Sequence, residues 1–227
     1  MTAAKAPAAL VTLPEDGAVA SYRHLDAAER YIHQTRDRAW LAVLRRRGYR
    51  DLSTLRILEL GCGEGSLLRS LLHYGADPSR LEGIDIDGAR MERARASLPD
   101  VRLALADGAS LPYREHTFDL AFAFTFFSSV LDPQARWRSA AEALRVLRPD
   151  GLLLVYDFWV NPLNPRVRPL RAGELRELFV PRPVRLERVT LAPPIVRALR
   201  GRRGLCRPLE RLPFLRTHLL AAVAKEG

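Results

Sequence analysis

Cysteine is nearly missing from this 227-residue chain, lysine is as rare, and no long apolar run occurs. The two cysteines, Cys62 and Cys206, are too few and too differently placed for a disulfide framework or a metal site, so each reads as a small buried apolar residue. That usage suits a reducing cytoplasm. No run of 18 apolar residues is present to cross a bilayer, and the first twenty residues, Ala/Pro-rich with a single Lys5, lack the continuous apolar core of a signal peptide. The expectation is a soluble, cytoplasmic protein with residues 1–20 as a mobile tail and residues 21–227 as one domain. Two ordinary domains would need a longer chain.

Basic charge, by contrast, is plentiful and uneven. The formal net charge is +10, and Lys5 and Lys225 are the only lysines, an Arg-heavy usage that a GC-rich genome writes by default. From Asn161 to Arg216 there are fourteen arginines against Glu174, Glu177, Glu187 and Glu210, a net +10, which leaves the rest of the chain neutral. A clustered field of this kind attracts an anionic small molecule, an anionic membrane surface or nucleic acid. Nucleic acid is the least favoured, because the segment lacks interleaved aromatics for base stacking.

The chain is organised around Ile57-Leu-Glu-Leu-Gly-Cys-Gly-Glu-Gly65. A short buried strand, a glycine turn and a helix from Ser66 open a Rossmann-like α/β unit. Glycine lets the turn take positive φ and lets a ligand lie against the peptide groups, beside the electropositive start of the following helix. The dinucleotide fingerprint G-x-G-x-x-G is absent; the spacing is Gly61-Cys62-Gly63-Glu64-Gly65, with Glu59 two residues before the first glycine. Ahead of this unit, Ile32, Trp40, Leu41, Val43 and Leu44 recur at helical spacing, predicting an amphipathic helix over about 25–47 that ends at Gly48.

Downstream, Leu81 to Asp87 forms a second strand ending in carboxylates, and either Asp85 or Asp87 could accept two hydrogen bonds from a ribose. A helix over 89–98 and a strand over 101–106 lead to Asp107-Gly108, a strand over 117–124 opens on Phe118-Asp119, and a helix over 133–147 turns through Arg148-Pro149-Asp150-Gly151 into a fifth strand. After Asp157 come a Pro/Asn-rich loop, a helix over 172–179, an alternating strand over 184–191, a basic helical insertion over 193–212 and a last strand over 217–224.

This series, from Leu55 to Asp157 in order and spacing, resembles the class I S-adenosylmethionine-dependent methyltransferases, with a vaguer similarity of the tail to small enzymes of polysaccharide and natural-product biosynthesis. The resemblance implies a Rossmann-like seven-stranded, mostly parallel sheet with helices on both faces, an antiparallel last strand, an N-terminal lid helix and the basic insertion between strands 6 and 7. It implies S-adenosyl-L-methionine as cofactor, with Glu59, Gly61, Cys62, Gly63 and Gly65 on the methionine moiety, Asp85 rather than Asp87 on the ribose with Ile86 beside it, and Asp107 and Gly108 at the adenine. Phe124, Phe126 and Phe127 would line the methyl-transfer pocket, and Tyr22, Tyr31 or Arg30 from the lid could reach the cofactor carboxylate.

Methyl transfer is a direct displacement that needs no metal, only an acceptor atom held in line about 3 Å from the methyl. A general base is optional. Many relatives carry histidines where Ser128 and Ser129 stand, so candidates for a base are Asp157 at the end of the fifth strand and His24 near the lid, with His218 and His116 more distant. The expected acceptor is a small molecule or a glycan- or lipid-linked group, anionic if the basic segment touches it, and peripheral membrane contact fits the same charge. Competing expectations are an RNA or protein methyltransferase, a catalytically silent cofactor-binding partner and an NAD-dependent oxidoreductase, the last disfavoured by the glycine spacing.

Overall fold

In the computed structural model, which describes residues 26–161 and 167–226, the first regular element is α1 (Ala27–Arg46). Asp26 starts it by accepting hydrogen bonds from the Ala28 and Glu29 amides, donors that the first turn cannot satisfy itself. Gly48, at φ +87°, lets the chain turn away. The expected tail over 1–20, Tyr22 and His24 lie outside the described residues.

Strand β1 (Ile57–Leu60) is buried at every position, as a strand covered on both faces must be. Then follow α2 (Ser66–His73), β2 (Leu81–Asp85), α3 (Gly88–Ser97), β3 (Arg102–Leu105), β4 (Phe118–Phe124), α4 (Pro133–Val146), β5 (Leu147–Phe158), α5 (Ala172–Leu178) and β6 (Val184–Leu191). The short helices α6 (Pro193–Ala198) and α7 (Arg203–Glu210) form the insertion before β7 (Arg216–Ala224). The sheet order is β3-β2-β1-β4-β5-β7-β6. Strands β1 to β5 are parallel, and β7 runs antiparallel to both β5 and β6. This is the Rossmann-like sheet the resemblance implies, including the insertion between β6 and β7.

One boundary differs from the sequence reading. Arg148 to Gly151 is not a free turn: β5 already begins at Leu147, directly after α4, and pairs with Phe118 across a register shift before Leu120. The chain bends tightly at Gly151, where a Cβ would stand 2.9 Å from the Arg148 carbonyl oxygen.

Apolar side chains pack on both faces of the sheet. One cluster joins Trp40, Val43 and Leu44 of α1 to Leu67, Leu68 and Leu71 of α2 and to Phe122, Phe124, Tyr156 and Leu220 of the sheet. The opposite cluster joins α4 and α5 to Leu58, Leu60, Ala121, Leu153 and Val155. A third, smaller cluster of Ala28, Tyr31, Leu191, Val196 and Cys206 seats the first turns of α1 on the insertion. Around it Arg197 pairs with Glu29 at 2.9 Å, Arg203 donates to Gln34 at 2.6 Å, and Tyr31 donates to Glu210 at 2.8 Å.

Candidate functional site

The sheet changes winding direction at β1, which lies between β2 and β4, so the loop after β1 opens at the topological switch point where α/β sheets bind ligands. Three glycines shape it: Gly61, Gly63 and Gly65 have φ of +68°, +54° and +79°, a region that L side chains occupy only under strain. The Cys62 amide donates to the Ile84 carbonyl at 2.8 Å, pinning the turn to β2. Burial pushes the Cys62 thiol well above its ordinary pKa, so the group is inert packing against Met91.

Asp85 closes the turn from the other side. Its Oδ2 accepts from the Gly63 amide at 2.7 Å and its Oδ1 from the Asp87 amide at 2.9 Å, which leaves each oxygen further lone pairs for ligand donors. Asp87 faces elsewhere, capping α3 by accepting from the Arg90 amide at 3.0 Å. Beyond Asp85, Ile86 is 70% exposed at the rim. Asp107 is exposed and accepts from the Ala109 amide at 2.8 Å, and Gly108 is buried beside it.

Two side chains lie across the glycine surfaces. The Phe126 ring bridges the loops after β1 and β3: a Cβ on Gly61 would meet it at 2.8 Å and a Cβ on Gly108 at 2.5 Å. The Arg90 guanidinium covers Gly63, where a Cβ would stand 2.1 Å from Nη2, and its Nη1 comes within 3.9 Å of Asp85 Oδ2. A ligand lying on these peptide groups displaces both, which a half-exposed arginine and a loop phenylalanine permit.

Beneath the loop, Glu59 is 4% exposed and its Oε2 has no hydrogen-bond partner among the described residues. Burial pushes its pKa up to about 8, nearby Asp85 reinforces the rise and Arg36 opposes it. A buried acceptor without a donor costs stability, and such a group calls for a functional reason. Arg36 went unnoticed in the sequence because it sits in a helix full of charges. It is 9% exposed, pairs with Asp37 at 2.9 Å, reaches Ser70 of α2 at 3.4 Å and lies 5.8 Å from the Phe124 ring centroid. Arg36 is therefore an α1 residue that approaches the acid beneath the glycine loop. Tyr31 does not reach it, because its side chain is held in the third cluster by Glu210. The one signal available was spacing: Arg36 lies one turn before the buried Trp40.

Across the sheet edge, Phe124, Tyr156, Phe158 and His218 form an aromatic run. Phe124 is 6% exposed with its ring centroid 5.2 Å from that of Tyr156, and His218 stacks on Tyr156 at 4.5 Å and 10°. Two β-branched residues at positive φ brace Tyr156: the Thr125 amide (φ +51°) donates to its carbonyl at 2.6 Å, and its hydroxyl donates to Thr190 Oγ1 (φ +60°) at 2.9 Å. Such outliers persist only where the surroundings over-determine them, and they cluster at functional sites. Burial, with Arg36 nearby, lowers the His218 pKa to about 3, so the imidazole is neutral. The other histidine considered, His116, is exposed after the loop of Tyr113 and Arg114, before β4, away from this edge.

Asp157 is fully buried, and its oxygens accept from the Ser128 and Phe158 amides, both at 2.9 Å. Burial raises its pKa to about 6 despite those bonds. The carboxylate faces the backbone of the loop after β4, so the structure gives it the geometry of a brace for Ser128 rather than of a base open to an acceptor.

Residues 58–155 match the family described as a methyltransferase domain. They form a class I S-adenosylmethionine-dependent methyltransferase domain. Over 129 residues the chain is 34% identical to 27-O-demethylrifamycin SV methyltransferase of Amycolatopsis mediterranei, covering 54% of this chain and 45% of that protein. Over 152 residues it is 28% identical to a tRNA (carboxymethyluridine(34)-5-O)-methyltransferase of Saccharomyces cerevisiae, covering 66% and 52%. The fold of an S-adenosylmethionine-dependent methyltransferase from Mesorhizobium loti superposes with a TM-score of 0.59 at 21% identity, over 82% of this chain and 97% of that one. The chain spans about half the length of the curated relatives it matches.

The cofactor that goes with this methyltransferase domain is S-adenosylmethionine, and the residues fit it: an unpartnered buried carboxylate under a glycine turn, a strand-tip acid with spare lone pairs, and an exposed Ile86 at the rim. Among the described residues no cluster of His, Cys, Asp or Glu could hold a metal ion, and no helix is long and apolar enough to cross a membrane.

Proposed function

We propose that the protein transfers a methyl group from S-adenosylmethionine to a small-molecule, glycan- or lipid-linked acceptor. The unpartnered Oε2 of Glu59, buried under the Gly61–Gly65 turn at the switch point of the sheet, carries this reading. When bound, the cofactor supplies an electrophilic sulfonium methyl. Glu59 and the glycine amides take its amino-acid end, Asp85 its ribose, and Ile86, Asp107 and Gly108 its base, while Arg36 from α1 adds a buried positive charge for its carboxylate. Phe124, Tyr156 and His218 line the edge beside that end and exclude water from an in-line approach. The chain provides position rather than proton transfer, so the acceptor is one that needs little help in ionising. Asp157 acts by fixing the loop after β4. The part of His24 is open to mutagenesis.

The relative that acts on tRNA favours an RNA acceptor as a second reading, with the basic C-terminal quarter as its support. Much of that charge is engaged within the fold, however. Arg182 donates to the Lys225 carbonyl, Arg216 to the Glu210 and Arg188 carbonyls, Arg197 pairs with Glu29, and Arg188 lies over Trp159 at 4.4 Å. The test is calorimetry with S-adenosylmethionine against NAD, followed by transfer of a labelled methyl group to candidate acceptors. Micromolar binding of the first alone, lost in Asp85→Ala, is expected. Binding of neither, or unchanged binding in that variant, would refute the assignment.

A further inference from the structure

The outward half of α7 is divided between an apolar edge and a basic edge. Cys206 is fully buried and Glu210 is held by Tyr31, so these two define the inward face. Opposite them, at 100° per residue, Leu205 and Pro208 fall on one edge and Arg207 on the other, and Arg211 and Leu212 follow directly after the helix. Leu205 is 50% exposed, Leu212 39% and the adjoining Phe214 68%. Three of the nine exposed large apolar side chains among the described residues therefore lie within ten consecutive positions. The arginines beside them have a different fate from Arg197 and Arg203: Arg202, Arg207 and Arg211 are exposed and form no ion pair among the described residues.

We propose that this face docks the protein on a membrane surface rich in anionic headgroups. The apolar edge supplies side chains that enter the headgroup boundary, and the arginines lie against the negative surface potential with their stems along the apolar edge. Nucleic acid is a poorer occupant, because leucines and a single phenylalanine offer little stacking and burying them against phosphates gains nothing. The face belongs to the same insertion that holds the first turns of α1, whose next turns carry Arg36 to the cofactor loop. On the methyl-transfer reading, the acceptor is then an amphiphile presented at the membrane; the docking itself does not depend on that reading.

The experiment is co-sedimentation of the full chain with vesicles of phosphatidylcholine containing 30% phosphatidylglycerol, with pure phosphatidylcholine vesicles and polyuridylate RNA as separate arms. Binding to the anionic vesicles that falls with salt is expected. Arg207→Gln with Arg211→Gln should lower the partition coefficient about thirtyfold, at about 1 kcal/mol per arginine. Leu205→Ser with Phe214→Ser should lower it at least tenfold and leave the salt dependence in place. All four positions are exposed, so folding is checked by thermal melting and by cofactor affinity, which the substitutions leave unchanged. No binding to anionic vesicles, equal binding by the Leu205/Phe214 variant, or tighter binding to RNA than to vesicles would each overturn the proposal. Because neither turnover nor cofactor enters the readout, loss of docking and failure of the methyltransferase reading are told apart.

Discussion

Cofactor binding should release a proton from Glu59. Its carboxyl is pushed up to about 8 by burial, with Asp85 adding to the rise. About nine in ten molecules then carry that proton at pH 7. The cofactor's ammonium group placed beside the unpartnered Oε2 favours the ionised form. Binding should therefore release about 0.9 proton at pH 7 and about 0.1 at pH 9, and affinity should rise about tenfold per unit of pH before levelling near 8. Calorimetric titration in phosphate and in Tris, whose ionisation enthalpies differ, reads the release directly. Glu59→Gln should abolish it. The same carboxyl shapes the stability of the free protein: the folded state holds a proton that the unfolded chain loses near 4.5, so its contribution falls by about 1.4 kcal/mol per pH unit between 4.5 and 8. That amounts to about 3 kcal/mol at pH 7, and the Gln variant should lack this slope. Buffer-independent heats in the parent, or equal release in the variant, would refute the reasoning.

Further outcomes follow from single contacts. Gly201→Ala should destabilise by about 2–4 kcal/mol in denaturant unfolding, since φ is +65° and the Cβ would stand 2.3 Å from the Ala27 carbonyl oxygen, whereas Gly204→Ala, with nothing within 4 Å, should be neutral. Tyr31→Phe should cost about 1 kcal/mol of stability through the lost bond to Glu210 and leave calorimetric cofactor affinity within twofold. Asp157→Asn should lose about 1–3 kcal/mol, because its amide group must face a backbone donor, with folding and turnover falling together rather than turnover alone. His218 is depressed to about 3, so its contribution to stability is present above pH 6.5 and lost as pH falls towards 3; His218→Phe should flatten the acid limb of a pH–stability curve.

The sheet was legible because its signals are local. Glycines at fixed spacing, a carboxylate at a strand tip and runs such as Leu58 to Leu60 each state their geometry within a few residues, and α1 to β7 fall within a few residues of the expected bounds. The start of β5 was missed because Pro149-Asp150-Gly151 has turn chemistry, yet pairing of Leu147 with Phe118 draws it into the strand. Of the candidate site, Glu59, the glycine turn and Asp85 could be read from the sequence, and the cluster around Tyr156 could not, for the same reason. Glu59 and Asp85 belong to one motif. Arg36, Tyr156, Thr190 and His218 meet only when α1, β5, β6 and β7 are assembled, and no spacing in the chain connects them.

That assembly also changes the meaning of the basic quarter. A net charge of +10 between Asn161 and Arg216 reads from sequence as one field, but the fold sorts it by partner. Arg197 and Arg203 bond to Glu29 and Gln34 of α1, Arg182 and Arg216 to backbone carbonyls, and Arg168 to Glu174. These arginines position elements. Arg197 and Arg203 hold α1 by its first turns, and α1 in turn carries Arg36 over Phe124 and into the field of Glu59. A buried Arg36–Asp37 pair is weak support for stability by itself, since both charges lose hydration. Its persistence is better understood as placement, a cation fixed near an acid that burial keeps protonated. The insertion, α1 and the glycine turn are thus one mechanical series, and the arginines on the outer face of α7 are among those that the fold leaves exposed and without an ion pair among the described residues.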